Sequence, residues 1–236
     1  MIKVFGCSHS RVFKKLNIDN YNIDCENISG ATLMGLPKRI STLDVKNRMI
    51  DYLKQNKPDF LVLKFGQVDI DLSYYYKLVV KGEKINKSEY IRNLINCYQK
   101  IIVELSEYID KKKIIIFGIN PPSLIDEEAC YIYTSRIINA NFSNVLKNKI
   151  ESIKERTKFS KLFNENLQQM CLEYDIKYTC VFDEVLNSDN IVSNRFTNNN
   201  DHHLKGIETD ESHFEPTNQL FQDKLESVVF MNEKQR

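Results

Sequence analysis

The chain opens on an apolar run of high strand propensity, Ile2, Val4 and Phe5, which stops at Gly6 and turns through Cys7, Ser8, His9 and Ser10 into Arg11-Val12-Phe13-Lys14-Lys15-Leu16, a helix start. Strand, glycine, serine and helix in that order describe a sharp strand-to-helix turn. In an open α/β sheet such a turn lies at the carboxyl edge, where ligands bind. A serine there is lifted out of the sheet, with helix N–H groups beside it to stabilise an oxyanion. Ser8 is therefore a candidate nucleophile. The plainer role, for Ser8 or Ser10, is a helix cap, as serines commonly serve.

The same alternation recurs along the chain. Tyr21 to Ile28 alternates loosely as a second strand and ends at Ser29-Gly30-Ala31-Thr32. Val45 to Gln55 has helical spacing through Val45, Met49 and Leu53, and Pro58 follows it. Phe60 to Phe65 is apolar at nearly every position, as a strand buried on both faces would be, and terminates at Gly66-Gln67-Val68-Asp69. An amphipathic helix is expected over Ser88 to Ile109, with Ser88 and Glu89 as cap and first-turn residues. A buried strand over Lys113 to Ile119 turns out at Asn120-Pro121-Pro122. Helices are expected over Lys158 to Tyr174 and Thr217 to Val229, with a last strand over Ile176 to Phe182 between them. Five strands alternating with helices predict an α/β protein, a three-layer α/β/α sandwich around a central parallel sheet.

No internal repeat and no Pro/Gly/Ser linker divides the chain, so one domain over residues 1–236 is expected. The stretch from about 123 to 156 is a long polar excursion between elements, and connections of that length usually carry a lid or binding function. A net charge of +1, from 33 basic and 32 acidic residues, gives no pull toward nucleic acid or anionic membrane. No apolar run reaches the roughly 18 residues of a membrane helix. The amino terminus enters a strand without the apolar stretch of a signal peptide, which predicts a cytoplasmic protein. The six cysteines form no CxxC pair and are expected to be reduced.

Ser8, Gly30, the Gly66-to-Asp69 turn and Asn120 thus fall at strand ends on one edge. A base is needed beside the serine, and three of the four histidines, His202, His203 and His213, cluster after the last strand. An imidazole is the natural acceptor for a serine proton near neutral pH, and a carboxylate fixes its tautomer. Asp210 stands three residues before His213, and Asp201 just before the His202-His203 pair.

On these motifs the chain resembles the SGNH hydrolases, a subset of the GDSL esterase/lipase superfamily. Gly6-Cys7-Ser8-His9-Ser10 is similar to their GDS block, with Ser8 in the nucleophile position, and Ser29-Gly30-Ala31 to the block whose glycine N–H joins the oxyanion hole. Gly66-Gln67-Val68-Asp69 resembles the GxND block, Gly118 to Pro122 the turn after the fourth strand, and Asp210-Glu-Ser-His213 the closing DxxH. The resemblance runs in order over nearly the whole chain. It implies a flavodoxin-like topology and a serine esterase or O-acyltransferase acting on a small-molecule or glycan ester, without metal or other cofactor. Gly30, Gly66, Gln67, Asp69 and Asn120 are then the oxyanion and substrate-binding positions. Tyr74, Tyr75, Tyr76, Tyr131 and Tyr133 are candidates for stacking on sugar rings or for packing.

Three departures stand out. Cys7 replaces the usual aspartate before the serine. Val68 occupies the place of the GxND asparagine, which leaves Ser8 and Gly30 N–H groups for the oxyanion, with Gln67 as a possible substitute. The base has two candidates: Asp210/His213 is favoured narrowly over Asp201/His203, whose His203-Leu204 also resembles the family's His-Leu. Two other readings remain open at this point. Asp201, His202, His203 and His213 are competent metal ligands, and the Val68 departure suits a binding module that keeps the fold without the chemistry. Neither GxGxxG nor GxxxxGK[ST] is present to suggest nucleotide binding.

Overall fold

The computed structural model describes residues 1–38, 42–198 and 200–230. Its centre is a five-stranded parallel sheet formed by β1 (Ile2–Gly6), β2 (Ile23–Asn27), β3 (Phe60–Lys64), β4 (Ile114–Phe117) and β5 (Lys177–Thr179), in the order β2-β1-β3-β4-β5. This is the doubly wound order of flavodoxin-like folds, whose ligands bind where the order reverses, between β1 and β3. The register pairs Gly6 with Asn27 on one side and Lys64 on the other, so the turns after all three strands meet at one edge.

Alternate side chains of the strands supply two cores. Phe5, Leu61, Leu63, Ile114 and Ile116 face one layer. That layer is built from α1 (Val45–Gln55), α2 (Lys87–Leu105) and α5 (Ile153–Glu173). Ile2, Val4, Val62, Ile115 and Phe117 face the other, where α6 (Glu215–Val229) and a 3-10 helix over Ser8–Lys15 pack. Both faces of the sheet are covered, which is why β1, β3 and β4 are buried at every position. The expected three-layer α/β architecture is thus the observed one.

Local details shift by a residue or two. The cap of α2 is Asn86, whose side chain accepts from the Glu89 amide, rather than Ser88. The residues after β3 wind into wide π-type turns over Asp69–Ser73 and Tyr76–Val80. The excursion after β4 contains α3 (Glu127–Ile137) and α4 (Asn144–Lys147), and Tyr131, Ile138 and Leu146 anchor it on the first core.

Candidate active site

The turn after β1 works because Gly6 has no side chain: a Cβ there would lie 2.6 Å from the Ser10 Cβ and 2.8 Å from the Lys64 carbonyl. The chain therefore turns directly from the sheet into the 3-10 helix. No side chain caps that helix, whose N-cap is Cys7; the Ser10 hydroxyl instead donates back to the Cys7 carbonyl at 2.8 Å. Ser8 is left free of the backbone, and its Oγ lies 2.7 Å from Nε2 of His203. Nδ1 of the same ring lies 2.6 Å from Oδ1 of Asp201, which also accepts from the His203 amide at 3.2 Å. A carboxylate only accepts, so Nδ1 carries the proton and Nε2 presents its lone pair to the Ser8 hydroxyl. These are the distances and the tautomer that a nucleophile, base and orienting acid require.

The electrostatics agree with that arrangement. Burial pushes the His203 imidazole below its ordinary value, against the pull of its Asp201 bond, and His202 adds to the lowering. A neutral base is therefore available at neutral pH. Burial works the other way on Asp201, but the hydrogen bond and charge of His203 outweigh it and hold the carboxyl at about 2.

The structure does not form the Asp210–His213 pair. His213 is 61% exposed, with Nε2 on Glu215 and Nδ1 accepting from Asn218. Asp210 instead faces Lys14 at 3.0 Å and Arg11 at 3.7 Å. The reason lies in the basic residues of the 3-10 helix. Arg11 donates to the Glu208 carbonyl, and Lys15 donates to the carbonyls of Gly206, Thr209 and Ser212. Together they pin the loop after His203 against the helix that begins at Ser8, and the three-residue DxxH spacing is spent on that strap.

A cleft of ≈ 590 Å³ opens over Ser8 and His203, walled by Gly30, Val68, Tyr76 and Tyr133 among others. Among the described residues, the N–H groups of Ser8 and Gly30 donate to no other backbone group. Both residues line the cleft, which makes these amides candidate donors for an oxyanion. Val68 turns an apolar side chain into the same cleft.

The other four expected binding positions stand behind this wall. Gln67 is buried, its amide exchanging two bonds with the Asn120 backbone and donating to Asp71, so it is not the substitute donor. Asn120 is buried in the same clamp and accepts from Lys64. Asp69 is fully buried, with its carboxylate accepting from the Leu33 and Met34 amides at 2.7 and 3.3 Å, which fixes the loop that follows Gly30. Burial pushes its carboxyl up to about 7, the two amides pulling against it. Gly66 turns at φ +108° under the Phe163 ring, 2.7 Å from where a Cβ would sit. Of the tyrosines, Tyr76 and Tyr133 line the cleft, whereas Tyr74, Tyr75 and Tyr131 are buried packing residues.

Sequence reasoning missed His9, Asp71 and Lys64. His9 stacks on His203 with centroids 4.1 Å apart, and His202 stands edge-on to both at 4.5 Å. Burial and the neighbouring imidazoles hold His9 well below its ordinary value, so it is a neutral wall for the base. Lys64 is buried among the Gly118 carbonyl, Asn120 Oδ1 and the Phe117 and Phe221 rings, and burial lowers it to about 8. A lysine inside the apolar run Phe60 to Phe65 was the available signal for it.

Ring nitrogens of His9, His202 and His203 lie within 4.8 Å of one another, a distance that suits a metal ion. Their hydrogen bonds do not suit one. His9 Nε2 faces the His202 carbonyl and so carries the proton, with its lone pair on Nδ1 toward Cys7. Both nitrogens of His203 are taken by Ser8 and Asp201. Lone pairs in stacked rings point along parallel planes and do not converge.

Comparison with known proteins starts from this geometry. No protein-family model and no curated protein sequence matches the chain. Solved structures do. A Bacteroides fragilis protein classed as an acylhydrolase is 13% identical, covers 100% of this chain and 88% of its own, and superposes with a TM-score of 0.56. A GDSL-like lipase from Bacteroides thetaiotaomicron is 12% identical, with coverage of 97% and 86% and a TM-score of 0.56. An acetyl xylan esterase is 17% identical, with coverage of 97% and 100% and a TM-score of 0.53. The chain has the α/β/α fold of these GDSL-type lipases and esterases.

Proposed function

We propose that this chain is a serine esterase of the SGNH hydrolase type that cleaves an O-acyl group from a small molecule or a carbohydrate. The observation that carries the reading is the continuous set of contacts from Ser8 Oγ to His203 Nε2 at 2.7 Å and from His203 Nδ1 to Asp201 at 2.6 Å. Ser8 attacks the ester carbonyl while His203 takes its proton, and Asp201 steadies the imidazolium that results. The tetrahedral oxyanion rests on the Ser8 and Gly30 amides. His203 then returns the proton to the departing alcohol, and the acyl group on Ser8 passes to water or to a second alcohol. The acetyl xylan esterase among the structural neighbours and the two cleft tyrosines favour a carbohydrate ester.

A second reading draws on Val68, which puts an apolar group where a third oxyanion donor would stand. It makes the chain a slow enzyme or a binding module of the same fold. One experiment separates the two. Wild-type protein is expected to hydrolyse nitrophenyl acetate and to be labelled by a fluorophosphonate, with both lost in Ser8→Ala. A folded protein that binds a sugar ester but does neither would favour the binding module.

A further inference from the structure

A second imidazole–carboxylate pair stands beside the first. Nδ1 of His202 faces Oδ2 of Asp71 at 3.3 Å, and both side chains are nearly buried, 8% and 11% exposed. The same Oδ2 accepts from the Gln67 amide at 2.9 Å, which ties Asp71 to the Gln67–Asn120 clamp. Since Asp71 only accepts, the neutral imidazole carries its proton on Nδ1 and its lone pair on Nε2. Nε2 has no partner among the described residues, on a side chain that lines both the cleft over Ser8 and a smaller cavity behind it. The Tyr133 ring lies against the same imidazole, centroids 5.1 Å apart and tilted by 32°.

From the proposed esterase activity, on which this step rests, the geometry points to a role for His202: its Nε2 accepts a hydrogen bond from a free hydroxyl of the substrate next to the ester, and Asp71 sets the tautomer that makes it an acceptor. The alternatives fit worse. A metal ion needs converging lone pairs, and the two neighbouring imidazoles have theirs engaged. A substrate carboxylate or phosphate would meet a lone pair with its own. Nor is His202 a spare base for Ser8, whose hydroxyl is already on His203. What remains is a neutral O–H donor, within reach of an ester seated at Ser8. The preferred substrate class is therefore a monoacylated diol, polyol or sugar, with a hydroxyl left free beside the acylated one. A site built around such an acceptor discriminates against an analogue without the donor, because a bound analogue covers the nitrogen and leaves it unpaired.

The test is a minimal substrate pair, hydroxyethyl acetate against methoxyethyl acetate, which differ in whether the neighbouring oxygen can donate. Wild-type kcat/KM is expected to favour the hydroxyl compound by about tenfold, the worth of one buried hydrogen bond. The readout is the ratio of the two values, which a general loss of activity does not move. His202→Phe is expected to bring the ratio close to one, and His202→Gln, which restores an acceptor oxygen, to recover part of it. Asp71→Leu covers the case in which the Phe variant does not fold. It keeps roughly the volume but leaves Nδ1 without the acceptor that holds its proton, and the preference is expected to fall. A wild-type ratio near one, or a ratio that survives both Asp71→Leu and His202→Phe, overturns the proposal. Such a result from protein that still hydrolyses nitrophenyl acetate through Ser8 leaves the esterase reading intact. Protein that turns over neither acetate and takes no fluorophosphonate overturns both.

Discussion

Val68→Asn is expected to speed the reaction while weakening the fold, two changes of opposite sign from one substitution. Val68 lines the cleft beside Ser8 and Gly30 and has αR backbone angles of φ −61° and ψ −33°, which asparagine adopts without strain. Among the described residues, the Ser8 and Gly30 amides that line the cleft donate to no other backbone group. One further oxyanion donor is worth about 3–4 kcal/mol in the barrier when it is well aimed, or roughly 10²–10³ in kcat. The substituted amide is untuned here, so a gain of about 10²-fold is the working figure. Against it, Val68 is 8% exposed and belongs to the first core. Trading its methyl groups for an amide loses about 1–2 kcal/mol of burial. The assay is kcat and KM for nitrophenyl acetate, with thermal unfolding of the same preparations. A variant that melts cooperatively at a lower temperature yet turns over no faster refutes the reasoning. In that case oxyanion stabilisation at this position does not limit the rate.

Three further outcomes follow from named contacts. The acid limb of kcat/KM is expected below the ordinary histidine value of 6.5, because burial lowers His203 and the rate falls only where it becomes protonated; a limb above that value would contradict the assignment of the base. Asp69 is pushed up to about 7 from 3.8, so between those values the native state holds a proton that the unfolded chain has lost, and stability falls as pH rises through that window. In Asp69→Asn that dependence is absent, so the Tm of the variant relative to wild type is expected to improve from about pH 5 to about pH 8. A difference that does not change with pH would show that Asp69 is not held protonated by burial. His213→Ala, at a side chain 61% exposed, is expected to keep activity and to change stability by no more than about 0.5 kcal/mol, and loss of hydrolysis would return His213 to the mechanism.

The sheet was readable chiefly through β1, β3 and β4, apolar runs buried on both faces that end on turns with Gly, Asn or Asp; the edge strands β2 and β5 are only partly buried and carry a weaker pattern. Ser8 could be singled out for the same reason: Gly6 and the helix start fix what can follow β1. The base was not readable by spacing. Asp210 and His213 have the local pattern, but Lys14 and Arg11 draw Asp210 away, and those basic residues lie some two hundred positions earlier in the chain. Asp201 reaches His203 from two residues away because its carboxylate bonds both the ring and the amide of the same residue. Gln67, Asp69 and Asn120 stand near the carboxyl edge of the sheet, but their side chains are buried. Their partners are backbone amides and carbonyls of neighbouring turns, which no motif announces. The contacts among His9, His202 and Asp71 are long-range and have no local periodicity to betray them.

The claim on which the account rests is that His203 activates the Ser8 hydroxyl. Its direct test is the rate at which a fluorophosphonate modifies Ser8, followed by mass spectrometry of the Ser8 peptide in wild type and in His203→Ala. The account predicts an adduct on Ser8 that forms about 10²–10⁴-fold more slowly without the imidazole. Equal rates in the two proteins, or an adduct that maps to another residue, would contradict it.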